Sequence, residues 1–171
     1  MAALSTERTR TASPAKAMSH VILFVDDGPD VLELLRRTFP AQDGYEPLTA
    51  TGGDEALRVI EAREVDLLVT DQRMPGLQGV ELVARARGLH PDLTAILLTA
   101  YTDPHEMVDA INVGQVYRYV TKPWDLADLR QTVSSALERA ALRREKARLD
   151  AELERRMAAL QVASDIARDV G

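Results

Sequence analysis

The segment VDLLVTDQRMPGLQGVELVARAR, residues 65–87, decides the fold of this chain. It contains the short apolar run DLLVT at 66–70, which is typical of a strand that is buried on both faces of a sheet. Asp71 follows the run directly, and the turn-forming letters MPG come before helical periodicity begins at about residue 78. The segment therefore predicts a strand, a turn and a helix, with a carboxylate at the end of the strand.

The same alternation of short apolar runs and amphipathic helices extends along most of the chain. Strands are predicted at 21–25, 46–50, 66–70, 94–99 and 116–120, and helices from Pro29 to Phe39 and at 54–62, 78–88 and 104–113, the last of these closed by Gly114. A final helix is predicted from Asp125 to Val170, because this stretch contains neither glycine nor proline. The pattern predicts an α/β fold, a flavodoxin-like doubly wound five-stranded parallel sheet in the order 2-1-3-4-5 with a long C-terminal helix.

Composition narrows the range of possible functions. The chain has 171 residues, 46% hydrophobic and 28% charged, which is typical of one globular domain with an appendage. Its formal net charge of −6 argues against direct nucleic-acid binding, and the lack of cysteine excludes disulfides and thiolate metal sites. We find no signal peptide or membrane span, and we expect a cytoplasmic protein. Residues 1–18 are predicted to be a disordered leader, with Met18 as an alternative start.

Four of the predicted strand ends meet at one edge of such a sheet. They bring together Asp26, Asp27, Asp71, Thr99, Ala100, Tyr119 and Lys122. Three neighbouring carboxylates repel one another, so the cluster requires a proton, a lysine or a divalent cation. Oxygen ligands suit Mg²⁺, and a carboxylate beside Mg²⁺ can attack a phosphoryl group whose oxygens pair with a lysine and a hydroxyl. The small Ala100 leaves room for a phosphodonor.

Residues from about 20 to 142 resemble the receiver domain of two-component response regulators, the CheY-like domain. The resemblance rests on four motifs in order: VDDGPDV at 25–31, DQRMPG at 71–76, LTAY at 98–101 and TKP at 121–123. It implies that Asp71 accepts a phosphoryl group from a histidine kinase or a phosphotransfer protein. It also implies that Mg²⁺, or Mn²⁺, is held by Asp27 directly, by Asp26 through water, by Asp71 and by the backbone carbonyl of Arg73.

The resemblance assigns the remaining site residues to a switch. Thr99 and Lys122 fall on the family's hydroxyl and lysine, and Tyr119 falls on its switch aromatic. Phosphorylation is implied to draw Thr99 inward, to turn Tyr119 inward and to change the face formed by the fourth helix, fifth strand and fifth helix. Positions that tune dephosphorylation are occupied by Arg73, Ala100 and Tyr101. The family also implies a cis bond between Lys122 and Pro123, and a protein that catalyses only its own phosphorylation and dephosphorylation rather than a free-standing enzyme.

The resemblance divides the chain into a leader at 1–18, a receiver domain at 19–142 and a helical extension at 143–171. Near-heptad spacing, which runs from the last residue of the receiver domain into the extension, is shown by Leu142, Leu149, Leu153, Leu160 and Ala163. Because Lys146 and Arg156 interrupt this seam, a solitary charged helix is the alternative to a coiled coil or to a linker that leads to an output module. A homodimer is expected through this helix or through the switch face. The stretch AINVGQVYRYVTKPWD, residues 110–125, resembles receivers attached to signalling enzymes.

Two other functions are compatible with parts of the pattern. A receiver-like scaffold would dimerise without phosphate, and a phosphatase of the haloacid dehalogenase kind would also use an aspartate nucleophile. That phosphatase class carries a second aspartate two residues after the first, where this chain has Arg73. The histidines lack ligand spacing and are predicted to be surface residues: His20, His90 and His105. Trp124 is predicted to be a packing residue.

Overall fold

The computed structural model describes residues 19–100 and 116–170, and its elements follow the predicted alternation. The strands are β1 (His20–Val25), β2 (Tyr45–Ala50), β3 (Leu67–Asp71), β4 (Thr94–Ala100) and β5 (Arg118–Lys122). The helices are α1 (Pro29–Thr38), α2 (Gly53–Ala62), α3 (Gly79–Leu89) and the C-terminal helix (Leu126–Asp169), with a 3-10 turn at Ala41–Asp43. The predicted leader, the predicted helix at 104–113 and Gly114 lie outside the described residues.

The five strands form one parallel sheet in the order β2-β1-β3-β4-β5, which confirms the predicted fold. β1 lies between β2 and β3 and pairs with both of them in parallel register. Pro47 lies in the edge strand β2 and has no backbone N–H. Because the outer side of an edge strand has no neighbouring strand, the sheet loses no hydrogen bond at this position. All five carboxyl ends therefore point to the same edge of the sheet.

Alternating residues of the strands feed two separate cores, one on each face of the sheet. Ile22 and Phe24 of β1 pack in a cluster with residues of α1 and the C-terminal helix. Leu23 and Val25 pack in the other cluster with residues of α2 and α3. Residues 22–25 of β1 are almost fully buried because both faces of this strand are covered, which explains why the sequence is apolar at these four positions.

The predicted strand boundaries are correct for β1 to β4 within one residue, but the fifth is displaced. The prediction placed β5 at 116–120, whereas the strand comprises Arg118–Lys122. The register of β4 decides this boundary, because Ile96 pairs with Arg118 and Ala100 pairs with Lys122. Lys122 is therefore the last residue of the strand rather than part of the turn after it.

The C-terminal helix covers the sheet along its first part only. Its buried residues are Leu129, Thr132, Val133, Ala136, Leu137 and Ala140. Beyond them Leu142 and Leu160 are each 71% exposed. Arg144 lies past the predicted domain boundary at 142, yet its guanidinium contacts the Asp66 carboxylate, which also accepts a hydrogen bond of 2.6 Å from the backbone N–H of Val21. The sheet therefore fixes the helix as far as Arg144.

The described helices differ from membrane-spanning helices in length or in composition. Within residues 19–100 and 116–170, none combines the length and the apolar composition needed to cross a bilayer. The pairing of the exposed part of the C-terminal helix with another helix stays a prediction.

Candidate functional site

The carboxyl ends of β1, β3, β4 and β5 deliver the candidate residues to one edge of the sheet. Asp26 follows β1, and Asp71 is the last residue of β3. Asp71 pairs with Leu98 of β4, so Thr99 lies one position further along the neighbouring strand. Ala100 pairs with Lys122, which places the lysine beside the end of β4. The sheet thus assembles residues that are far apart in sequence.

The three carboxylates come together as the sequence predicted. Asp26, Asp27 and Asp71 each offer an oxygen, and these oxygens lie within 4.8 Å of one another. Asp26 is only 2% exposed and Asp71 only 7%, whereas Asp27 is exposed. Such proximity in a low-dielectric setting requires positive charge, since like charges disfavour their common ionisation.

Lys122 supplies one such charge. Its Nζ lies 3.0 Å from Oδ2 of Asp26 and 3.1 Å from Oδ1 of Asp71, and its side chain is 27% exposed. Burial alone would lower the pKa of Lys122, but the hydrogen bonds that its ammonium donates to Asp26 and Asp71 outweigh this effect, and the pKa is raised above 10.5. The lysine is therefore fully charged at neutral pH, and it bridges the two buried carboxylates.

One positive charge does not compensate for three negative charges. Burial raises the pKa of Asp71 above its ordinary value of 3.8, and the charge of Asp26 adds to this effect. Lys122 and the backbone N–H of Gln72 lower the pKa without cancelling the cost of burial. The site therefore retains a deficit of positive charge that a divalent cation would remove.

The three carboxylates fit a small divalent cation. Oxygens on opposite sides of Mg²⁺ are about 4.2 Å apart, since each bond is 2.0–2.1 Å long. The three carboxylate oxygens, which lie within 4.8 Å of one another, suit this geometry after a small movement of the side chains. They also suit it if a water lies between the ion and one carboxylate. Asp26 already accepts hydrogen bonds from the backbone N–H of Gly28, at 2.8 Å, and from Lys122. Within the part of the chain that the structure describes, the Asp27 side chain has no such donor.

The loop between β3 and α3 is held against Asp71 by two residues that the sequence analysis did not single out. Gln72 is buried, and its backbone and side-chain oxygens accept hydrogen bonds from the N–H groups of Gly79 and Val80, at 3.0 and 3.1 Å. A Cβ at Gly79 would lie 2.4 Å from the backbone oxygen of Asp71. The sequence contains one signal of this close approach, because Gly79 is the first residue of a helix and the helical backbone there does not require glycine.

The remaining candidates that the structure describes lie in β4, in β5 and in the loop after β3. Thr99 is half-buried, and its hydroxyl donates a hydrogen bond of 3.2 Å to the backbone oxygen of Ala100. The hydroxyl of Tyr119 is buried and has no hydrogen-bond partner among the described residues, and burial raises the pKa of this group. The Arg73 side chain is exposed in the loop after β3. Tyr101, a predicted tuning residue, lies outside the described residues.

The surroundings of Lys122 agree with two further predictions. The bond between Lys122 and Pro123 is cis, as the resemblance implied. Trp124 is half-buried and packs against the core that contains Phe24, which confirms its packing role. Its ring also lies beneath the Lys122 ammonium, with 5.6 Å between Nζ and the ring centroid. This second contact was not predicted.

Comparison with known proteins identifies the family. The model of the response regulator receiver domain matches residues 22–134, which include most of β1, all of the other four strands and the whole acidic cluster. The chain belongs to the response regulator receiver domain family. Receiver domains bind Mg²⁺ at an acidic pocket and interact with histidine kinases or phosphotransfer proteins, and they are typically signalling modules rather than enzymes.

Curated relatives of this receiver domain include longer regulators. The hydrogenase transcriptional regulatory protein HoxA of Cupriavidus necator is 36% identical over 132 residues, which are 77% of this chain and 27% of HoxA. The chain therefore spans about a quarter of the length of the first curated relatives that it matches. The likeness to them covers the receiver domain, not the additional domains that such a length requires.

Solved structures share the fold of this chain. An adenylate cyclase structure from Rhodopirellula baltica superposes with a TM-score of 0.72 at 30% identity, covering 77% of this chain and 96% of that chain. The response regulator TrrA of Thermotoga maritima, solved in complex with Mg²⁺ and BeF, superposes with a TM-score of 0.60 at 35% identity, covering 68% and 98%.

Proposed function

We propose that this receiver domain is a phosphorylation switch in which Asp71 is the phosphoacceptor. The observation that carries the proposal is the position of Asp71, at the end of a buried strand with Lys122 Nζ at 3.1 Å and two further carboxylates in the same cluster. A buried carboxylate with a charged amine on one oxygen is oriented for attack, and the amine can then pair with the incoming phosphoryl oxygens.

The proposed reaction joins Asp71 to phosphorus. One carboxylate oxygen of Asp71 forms a bond to phosphorus while the bond between phosphorus and the kinase's histidine nitrogen breaks, and its electron pair stays with the imidazole. Mg²⁺, when bound, neutralises phosphoryl oxygens and so lowers the electrostatic cost of the attack. Lys122 contributes a second positive charge from the opposite side of the cluster, and the Thr99 hydroxyl offers a hydrogen-bond donor.

We assign the cation to the three carboxylates and to the backbone carbonyl of Arg73. Asp27 is the proposed direct ligand, because it is exposed and its side chain makes no hydrogen bond within residues 19–100 and 116–170. Asp26 is the proposed ligand through water, because both of its oxygens already accept hydrogen bonds. The same oxygen set is suitable for Mn²⁺. Arg73, Ala100 and Tyr101 are proposed to set the lifetime of the phosphorylated state.

The proposed response runs through β5 towards the C-terminal helix. Thr99 would rotate from the Ala100 carbonyl towards the phosphoryl group, and Tyr119 would repack into the space that this movement opens. A homodimer through the face of β5 and the C-terminal helix, or through the exposed part of that helix, would transmit the change to an output domain. We place this protein in the cytoplasm, without direct contacts to nucleic acid or membrane.

Acetyl phosphate tests the phosphoacceptor assignment. Incubation with acetyl phosphate and Mg²⁺ should add one phosphoryl group to the intact chain, as measured by mass spectrometry. Asp71→Asn should take up none, whereas Asp30→Asn, which alters an exposed acidic residue in the first turn of α1, should react like the wild type. Equal incorporation in Asp71→Asn would refute the assignment.

Light scattering tests the response. The mass of the full chain, measured with and without acetyl phosphate, should rise on phosphorylation if the proposed dimer forms. The same mass in both states, together with unchanged partner affinity, would favour a scaffold that acts without phosphate.

A further inference from the structure

The ammonium of Lys122 has an aromatic neighbour in addition to its two carboxylates. Its Nζ lies over the ring of Trp124, 5.6 Å from the ring centroid. This distance is within the range of about 6 Å over which a cation is attracted by the negative face of an aromatic ring. The ammonium of Lys122 thus contacts Asp26, Asp71 and the indole ring of Trp124.

Trp124 is itself fixed in place. Its ring packs against the core that contains Phe24 and Val133. The next residue, Asp125, caps the C-terminal helix, because its side chain accepts hydrogen bonds from the N–H groups of Ala127 and Asp128 at 2.8 and 3.1 Å. The short connection between β5 and the helix is therefore anchored at both ends, and the indole has little freedom to leave the lysine.

We infer that Trp124 is a positioning residue that holds the Lys122 ammonium in line with Asp71 for phosphoryl transfer. The inference rests on the proposed phosphoacceptor role of Asp71. A lysine side chain has four rotatable bonds, so an ammonium at a quarter-exposed site requires contacts that define its position. The indole supplies one such contact without competing for the carboxylates.

Replacement of the ring tests this role in the full chain. Trp124→Phe keeps an aromatic ring whose face has a weaker negative electrostatic potential than that of indole. Trp124→Leu keeps apolar volume but has no aromatic ring. The rate of phosphorylation by acetyl phosphate with Mg²⁺ should fall about two- to fivefold in Trp124→Leu, as expected for loss of one cation–π contact, with partial rescue in Trp124→Phe. Rates that are equal in all three proteins would overturn the inference, as would equal losses in both variants.

A spectroscopic signature separates positioning from packing. Protons of the Lys122 ε-methylene, which is bonded to the ammonium that lies over the indole, should resonate upfield of an ordinary lysine in the NMR spectrum of the wild type. The shift should be smaller in Trp124→Phe and should disappear in Trp124→Leu. The same ε-methylene shift in the wild type and in Trp124→Leu would show that the ring does not hold the lysine.

Tyr117 offers a matched control. It packs against the same core, and its ring lies 5.5 Å from the guanidinium of Arg139, remote from the acidic cluster. Tyr117→Leu should leave the Lys122 signal and the rate unchanged. A wild type that takes up no phosphate would refute the proposed function. The chemical shift of the Lys122 ε-methylene reports on the indole contact without any phosphodonor. A failure of the proposed function can therefore be distinguished from a failure of the inference about Trp124.

Discussion

Among the glycines that the structure describes, Gly79 is the one at which an added methyl group should cause the largest local disturbance. In the structure a Cβ at this position would lie 2.4 Å from the backbone oxygen of Asp71, 2.7 Å from Cδ1 of Leu97 and 2.9 Å from Cα of Gln72. Two of these three atoms belong to the backbone, so they cannot move away by a change of rotamer. Gly79→Ala therefore requires a displacement of β3 or of the start of α3.

The expected magnitude follows from two opposing effects. Overpacking of a well-packed interior costs about 1–3 kcal/mol or more, and rigid neighbours place Gly79→Ala at the upper end of that range. Alanine in place of glycine in a helix contributes at most about 1 kcal/mol of the opposite sign. The free energy of unfolding should thus fall by about 2 kcal/mol, out of a typical total of 5–15 kcal/mol.

Urea denaturation of the full chain measures this change, and Gly88→Ala is the matched control. Gly88 lies near the other end of α3, and a Cβ there would meet no atom within 4 Å in the described part of the chain. Gly88→Ala should be neutral or stabilising by up to about 1 kcal/mol. Gly79→Ala should also slow phosphorylation, because it displaces the backbone of Asp71. Unfolding free energies of the two variants within about 0.5 kcal/mol of each other would refute the reasoning.

Three further predictions concern the cation, the charge of Asp71 and the C-terminal helix. Saturating Mg²⁺ should raise the melting temperature of the wild type, because a ligand that binds only the folded protein stabilises it. Asp27→Asn should lose most of this increase, whereas Asp30→Asn should keep it. An equal increase in the two variants would contradict the ligand assignment. Burial raises the pKa of Asp71 above 3.8, so the charged carboxylate lowers the stability of the fold at pH values above the raised pKa and has no such effect below pH 3.8. In urea denaturation without Mg²⁺, Asp71→Asn should therefore be more stable than the wild type at about pH 7, and this gain should vanish at about pH 3. A gain that is independent of pH would be inconsistent with the raised pKa. Arg144→Met should lower the free energy of unfolding by about 0.5–1 kcal/mol through loss of the Asp66 contact, whereas Lys146→Met at an exposed position should not, and equal effects in the two would argue against the contact.

The sequence predicted the sheet because its strands are short and buried on both faces. In the run DLLVT the three central residues are all apolar, and the turn after it carries a proline and a glycine, so the strand could be recognised without its neighbours. Asp71 could then be placed at the carboxyl end, where parallel strands collect their functional groups. The acidic pair and Lys122 followed from the same rule applied to the other strands.

Features that depend on contacts between distant residues could not be predicted. The boundary of β5 is set by its pairing with β4, and the aromatic letters at 116–120 favoured an assignment two residues too early. Gly79 is explained only by its approach to the Asp71 backbone, and the contact between Arg144 and Asp66 joins residues 78 positions apart. Trp124 was correctly predicted to pack, but its contact with Lys122 required the geometry of the turn between them.

The most direct test of the central claim is to locate the phosphoryl group. Wild-type protein that has been phosphorylated by acetyl phosphate with Mg²⁺ can be reduced with borohydride, which converts an aspartyl phosphate to homoserine, and then digested and sequenced by mass spectrometry. The proposed function predicts homoserine at Asp71 alone. Homoserine at Asp26 or Asp27, or phosphate that survives reduction on a serine, threonine or histidine, would contradict it.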